Sequence, residues 1–446
     1  MAIVESGGCS TSSSDPPHDA GPPVEAHVLQ DASGLGSFCR LPGSYVSRGG
    51  SVDVVSGGKG PDLAWLAHTL PDGFCAHYYG NVTETRLVRF APNGDLFVAS
   101  PSTSCAGGAG GGLGSIVVLP DDDHDGYADA IVHYKDNLPS TQGLLFHGGF
   151  LYYQDGAKVM RTPYTSGDRA ASGTPEQMVN VTVYYSGTHW PKAIDADDSG
   201  NIYVTNGGDE GDKCDPSLPE SSRPFHGGVL RIDGSPGGEP IARGLRNPIA
   251  LRCAKGTGQC YGLELAHDFA PGSGSREKLF PIHKGDDWGF PYCATANLPY
   301  SDICPSASCS GVQPETTSFV IDHTPFDLDF EQGSFPAPWK GRVFVAVHGY
   351  FVSWAGAQIA TIETDPTTHL PLTSSESKGA PGATFSTFAG GPVGQKPPDG
   401  TAGWDDTMND HGRPTTLAFS PDGRLFLGND TNGDILWIAP VAAGDD

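Results

Sequence analysis

Six short stretches of this chain share one pattern, and no other feature constrains the fold as tightly. They are APNGDLFV (91–98), FHGGFLYY (146–153), DDSGNIYV (197–204), KGTGQCYG (255–262), PWKGRVFV (338–345) and SPDGRLFL (420–427), each with glycine in its fourth place. Gly94, Gly149, Gly200, Gly258, Gly341 and Gly423 supply the positive φ of a tight turn, and the apolar or aromatic run after each reads as a buried strand. In four of the six an apolar strand also precedes the turn, as LVRF, KAIDA, PIALRC and TTLAF. The glycines stand 55, 51, 58, 83 and 82 residues apart, too far for a solenoid coil and right for four-stranded blades with loop insertions. The expectation is an all-β chain, a six-bladed β-propeller over residues 27–446, closed by an N-terminal strand near 27–30 or 61–69 joining the sequence after Gly423. A pair of β-sandwiches is the competing architecture, and it does not account for six copies.

Composition narrows the function. Glycine (62) and proline (38) exceed a fifth of the 446 residues, as expected of many short strands and turns. A formal charge of -26, from 26 Lys and Arg against 52 Asp and Glu, repels a phosphate backbone and argues against nucleic acid as a partner. Any anionic ligand must therefore be met locally by placed arginines or a bound cation. No run of 18 apolar residues exists, so no transmembrane segment is expected. Ten cysteines, at 9, 39, 75, 105, 214, 253, 260, 293, 304 and 309, lack CxxC spacing and fit the disulfides of an exported protein. Cys253 and Cys260, flanking the hairpin CAKGTGQC, are the expected pair. Residues 1–26 contain no apolar signal core and read as a disordered tether. Cys9, followed by Ser, Asp and Pro, has the look of a lipid-anchored start; an incidental cysteine in a disordered tail is the other reading.

Three stretches carry chemistry. DDDHDGYAD (121–129) puts Asp121, Asp123, Asp125 and Asp129 at positions 1, 3, 5 and 9 of a calcium loop, with Gly126 turning the chain and the Tyr127 carbonyl at position 7. No glutamate stands at position 12, so this is not a full EF-hand, yet hard oxygen ligands at this spacing favour calcium in a structural role. An acidic solvated turn is the alternative. GLRNPIAL (244–251) sets Arg246 and Asn247 at the entry of a buried strand, where a guanidinium fork matches a carboxylate or quinone oxygen; an arginine stapling a loop is the plainer reading. His189 holds the equivalent place one blade earlier and is a candidate base. A lone histidine is more often a satisfied polar residue, but Asp209, at the end of the same hairpin, and Arg246 would converge with it on one channel. The long inserts 264–335 and 350–412 are where specificity is expected, with Trp288, Trp354 and Trp404 as sugar platforms or as packing.

At these residues the chain resembles the soluble pyrroloquinoline quinone (PQQ) dehydrogenases, which comprise soluble glucose dehydrogenase, aldose sugar dehydrogenases, sorbosone dehydrogenase-like proteins and fungal pyranose dehydrogenase domains. The likeness rests on GLRNP (244–248), IYVTNGGDEG (202–211), LELAHDF around Glu264, KGDDWGFPYC (284–293) and HGRPTTLAFSPDGRLFL (411–427). It implies that His189 takes the proton of a sugar hydroxyl while hydride passes to PQQ, with Asp209 holding the histidine or the substrate. Arg246 and Asn247 would bind the quinone oxygens, Gln142 would lie beside the cofactor, and Arg413 would add a cation. The carbonyls of Leu265 and Ala266 would ligate a calcium that clamps PQQ, with His267 capping that site or spoiling it. Two departures stand out: Ala266 and His267 replace a Gly-Pro pair, and residues 345–356 hold no Arg or Lys, leaving His348 as the substitute. The implied activity is oxidation of a sugar or similar polyol, with electrons leaving to an external cytochrome or quinone because no CxxCH haem motif is present. A calcium-dependent propeller lactonase and a non-catalytic carbohydrate-binding propeller are the rival readings.

Overall fold

The computed structural model describes residues 26–29 (backbone alone), 36–100, 113–183, 189, 193–208, 214–223, 225, 227–267, 275–350, 356–376, 385–390, 404 and 411–441. All six repeat glycines sit at positive φ (93, 80, 81, 69, 71 and 89°), and each closes an antiparallel hairpin. The strand before the turn, read in four copies, is present in the other two as Leu144–His147 and Pro325–Phe330. The second of these, PFDLDF, alternates apolar residues with Asp327 and Asp329, a strand pattern whose polar face is used inside the molecule.

Each hairpin continues outward into a four-stranded blade. The first strands are Leu87–Phe90, Leu144–His147, Ile194–Ala196, Asn247–Ala254, Pro325–Phe330 and Arg413–Phe419, and they pack on one another around the axis. Blades 1, 2, 3 and 5 are plain four-stranded sheets, blade 4 gains a short parallel strand, Ser374–Ser375, and blade 6 belongs to a seven-stranded sheet. There is no single core. Six apolar clusters fill the six seams between blades, such as Phe97 and Leu144 between blades 1 and 2, and Leu263 and Val345 between blades 4 and 5. Inner blade strands such as Leu96–Ser100, Val343–Val347 and Leu425–Asp430 bury both faces for that reason.

The ring closes differently from the expectation. The outermost strand of blade 6 is Phe74–Asn81, paired with Asp434–Pro440 from Pro440↔Phe74 to Asp434↔Asn81. Residues 26–29 lie at the far edge of that sheet, parallel to Ser51–Val55. Ala64–Thr69 is a helix: the Asp62 carboxylate accepts the Ala64 N–H at 2.8 Å, and Leu63, Leu66 and Leu70 turn one face to the core.

Polar contacts lock neighbouring blades at the axis. The Cys253 N–H donates to Asp195 (2.9 Å), Arg252 Nε to the Leu328 carbonyl (3.1 Å), and the Val88 N–H to the Thr416 hydroxyl (3.0 Å). Fully buried Asp327 accepts both Arg89 Nη atoms (3.0 and 3.2 Å), the Thr416 hydroxyl (2.7 Å) and the Leu417 N–H (3.2 Å), so one carboxylate ties blades 1, 5 and 6.

Disulfides join Cys253 to Cys260, as expected, and also Cys39 to Cys75, Cys214 to Cys304 and Cys293 to Cys309; Cys9 and Cys105 lie outside the described residues. No helix among the described residues is long and apolar enough to cross a membrane. The supposed inserts hold the outer strands of blades 4 and 5, and two of their tryptophans are corrected from platform to packing. Trp288 lies against Phe280 and Trp404 against Trp65, both almost wholly buried, while Trp354 is outside the described residues.

Candidate active site

Antiparallel hairpins sort residues between the two ends of the channel. Whatever precedes a first strand, or follows a second one, lies at the end away from the glycine turns. That mouth therefore collects Gln142, His189 and Arg246 from before first strands, Asn247 and Arg413 from the opening residues of theirs, and Leu265, Ala266 and His267 from the end of a second strand. The acidic loop follows the third strand of blade 1, Gly114–Leu119, and so stands at the opposite end.

His189 is half-buried, and its Nδ1 meets the Gly208 carbonyl. A carbonyl only accepts, so the neutral ring carries its proton on Nδ1 and keeps the lone pair on Nε2. The Gly207 N–H donates to the His189 carbonyl at 2.8 Å. A Cβ on Gly207 would stand 2.4 Å from the His189 Cβ and 2.5 Å from the Arg246 carbonyl oxygen. Only glycine lets the His189 and Arg246 backbones approach so closely here, with the Arg246 guanidinium directed to the Ala266 carbonyl. Asp209, expected to join them, lies outside the described residues.

Arg246 is buried; its main-chain N–H donates to Glu264 Oε1 (2.7 Å) and its Nη1 to the Ala266 carbonyl (2.6 Å). Glu264 Oε2 faces Lys278 Nζ at 2.9 Å, and both side chains are buried. His267 turns Nε2 to the Asp302 carboxylate at 3.2 Å.

On the far side of the mouth, Arg413 donates Nε to the His348 carbonyl (3.1 Å) and Nη2 to that of Gly349. Burial lowers it to about 10, so it stays charged at neutral pH. His348 is corrected as the substitute cation. Its Nε2 bonds Asp430 at 2.9 Å, but burial pushes the ring down to about 4 and it brings no charge at neutral pH. Arg86 is a further buried cation here, paired with the same Asp430 at 3.2 Å. Burial alone would raise the Asp430 carboxyl; His348, Arg86 and Arg413 outweigh it and hold it below the usual range. Arg86 precedes the first strand of blade 1, as Arg246 precedes its own and Arg413 opens its own, and that shared placement in ETRLVRF was the signal for it.

Several buried polar atoms at this mouth have no hydrogen-bond partner among the described residues: Thr141 Oγ1, Gln154 Oε1, Asn206 Nδ2, Asn247 Oδ1 and His267 Nδ1. Buried polar atoms are rarely left unpaired, so each of these calls for a water, an ion or a polar ligand as its partner. Gln142 is buried beside Thr141.

In the acidic loop the carboxylates sort themselves. Asp122 pairs with Arg169 (2.8 Å) and Asp125 with Lys59 (3.2 Å), while oxygens of Asp121, Asp123 and Asp129 lie within 4.8 Å of one another. Three of the expected ligands converge; Asp125 turns away to Lys59, and the Tyr127 hydroxyl donates to the Pro42 carbonyl at 2.9 Å.

Acid lability follows from His348. An unfolded imidazole titrates near about 6.5, so a ring held near 4 contributes stability that is fully present above about pH 6.5 and is lost as pH falls through about 4. His77, also pushed down to about 4 by burial, acts in the same window. Each is worth roughly 3 kcal/mol at the acid end. Urea denaturation between pH 7 and 4 should show a slope that His348→Gln cuts by about half; an unaltered slope would sink this assignment.

Fold and hairpin topology together define the class: a six-bladed propeller with Arg86, Arg246 and Arg413 at one end of its first strands. No protein-family model matches the chain, and no curated protein matches it. Among solved structures it is similar to a Trichoderma reesei carbohydrate-active enzyme of family AA12, with TM-score 0.64 and 16% identity over 83% of this chain and 97% of that one. It is also similar to the PQQ domain of pyranose dehydrogenase from Coprinopsis cinerea (TM-score 0.59, 15% identity, 83% and 96% covered). A third is the soluble aldose sugar dehydrogenase of Escherichia coli (TM-score 0.52, 14% identity, 82% and 99% covered). The chain shares the propeller fold of the sugar dehydrogenases that its motifs resemble.

Proposed function

We propose that this protein is an exported dehydrogenase that oxidises a sugar or similar polyol with PQQ in the mouth, calcium in the acidic loop and an external electron acceptor. The observation that carries the reading is the set of buried polar atoms without a partner among the described residues, at the same end of the hairpins as Arg86, Arg246 and Arg413. PQQ is a quinone with three carboxylates, and such a site fits it: arginines for the anionic groups, amide and hydroxyl atoms for the ring. The sugar dehydrogenases among the solved structures support the substrate class at the level of fold. Four disulfides suit an oxidising compartment.

The residues divide the work. Arg413 and Arg86 hold carboxylates, while Arg246 and Asn247 orient the acceptor oxygens and stabilise negative charge there. Gln142 lies along the ring. His189 takes the hydroxyl proton of the substrate at Nε2, and the Gly208 carbonyl fixes its tautomer. PQQ, when bound, supplies the hydride acceptor. Calcium at Asp121, Asp123 and Asp129 would be structural, since that loop stands at the other end of the channel.

The test is titration with PQQ, followed by absorbance while aldoses and polyols are added with a dye acceptor. Stoichiometric binding and sugar-dependent bleaching support the reading. No binding removes it and leaves a lactonase or a binding propeller. Arg413→Ala should weaken PQQ binding about 10–100-fold, the worth of one hydrogen bond to a charged group; unchanged affinity would contradict its role.

A further inference from the structure

We infer that the cation at the Ala266 carbonyl is the Arg246 guanidinium, and that the mouth takes its anionic ligand with no divalent ion at residues 264–267. The inference rests on the proposed reading of the ligand as an anionic quinone and goes beyond it by assigning how its charge is met.

The Ala266 carbonyl lies 2.6 Å from Arg246 Nη1. Glu264, two residues before Ala266, gives one oxygen to the Arg246 N–H and faces Lys278 with the other; Asp268, two residues after it, lies outside the described residues. His267 is turned to Asp302. Residue 246 is gripped at both its backbone and its head, and Glu264 stands in ion-pair reach of the buried Lys278.

Calcium asks for six to eight oxygens at about 2.3–2.6 Å. An ion on the Ala266 carbonyl would share that oxygen with a guanidinium, two like charges a few ångströms apart in a buried setting where their repulsion is poorly screened. Among the described residues of this segment, the one carboxylate that could offset them, Glu264, already faces the Lys278 ammonium at 2.9 Å. Among the described residues, the acids that converge closely enough to hold an ion are Asp121, Asp123 and Asp129, at the opposite end of the channel. Arg246 thus does for the mouth what a divalent ion would do, placing fixed positive charge against an anion, and it needs no loading.

Calorimetric titration of the EGTA-stripped full chain with calcium tests this directly, beside PQQ titrations in EGTA and in calcium. One calcium site is expected, lost in Asp121→Asn/Asp123→Asn, and the PQQ Kd in EGTA should lie within about threefold of that in calcium. Arg246→Ala should weaken PQQ binding in EGTA by about tenfold or more, with calcium restoring part of the loss once the carbonyl is freed. Two calcium sites in the wild type, a site surviving in the double variant, or PQQ binding tightened about tenfold or more by calcium in that variant would each overturn the inference. If PQQ binds under neither condition, the functional reading fails, and the calcium count still decides this one: no site left in the double variant upholds it, a surviving site refutes it.

Discussion

Replacing His189 with alanine is expected to lower turnover of the PQQ-loaded protein by about 10²–10⁴-fold, the range of a lost general base, while PQQ affinity changes little. The expectation rests on geometry. Nδ1 is committed to the Gly208 carbonyl, so the ring presents Nε2 as its basic atom. Gly207 sets that ring against the Arg246 backbone, where an added Cβ would fall 2.4 Å from His189 and 2.5 Å from Arg246. On the proposed reading, a proton acceptor and an arginine that would steady developing negative charge thus come from backbone segments that meet at Gly207. The measurement is steady-state turnover with a dye acceptor, paired with PQQ titration of the same variant. Gly207→Ala supplies the companion: it keeps the histidine but forces it aside, and should lose kcat before it loses cofactor binding. Turnover undiminished in His189→Ala would take the histidine out of the mechanism.

The largest expected effect on stability lies at the axis. Asp327→Ala should cost about 3–5 kcal/mol, the usual cost of breaking one half of a buried ion pair. Asp327 is fully buried, and burial alone would raise its carboxyl; Arg89 and Arg252 hold it below the usual range instead. Removing it leaves the Arg89 guanidinium buried without its bidentate partner and strips an acceptor from Thr416 and Leu417. Urea denaturation gives the number. The pairing Arg89→Met with Asp327→Leu should recover most of the loss, because two apolar side chains avoid the desolvation that the lone charge suffers. A loss below about 1 kcal/mol in Asp327→Ala would mean that the carboxylate is not the tie between blades 1, 5 and 6.

Much of the mouth was legible because one positional rule governs it. Arg246, Asn247, His189 and Arg413 were found by standing at or just before the start of an apolar strand in the repeat, and the hairpins carry all such residues to one end. The same rule applies to Arg86, which a strand beginning LVRF conceals because the arginine precedes it by one residue. The ion loop was legible as a spacing of aspartates, but spacing does not reveal that Lys59 claims Asp125, since Lys59 lies 66 residues away in the chain. His348 shows the same limit: a histidine in VAVHGYF reads as a spare cation, and only the cover around it, with Asp430 2.9 Å away, makes it neutral.

By itself the sequence determined the repeat: six glycines that must adopt positive φ, each followed by an apolar strand, are local demands that the backbone meets wherever they occur. It also determined the Cys253–Cys260 pair, because seven residues of one hairpin bring the two together. Tertiary structure alone decided which strand closes the ring, since Phe74–Asn81 pairs with residues some 360 positions onward and nothing local distinguishes it from its neighbours. It alone decided that Trp288 and Trp404 pack inside and do not face a sugar, because burial belongs to the seams between blades. It alone placed the Arg246 guanidinium on the Ala266 carbonyl, a contact across two strands of blade 4 that sets where the positive charge of the mouth stands.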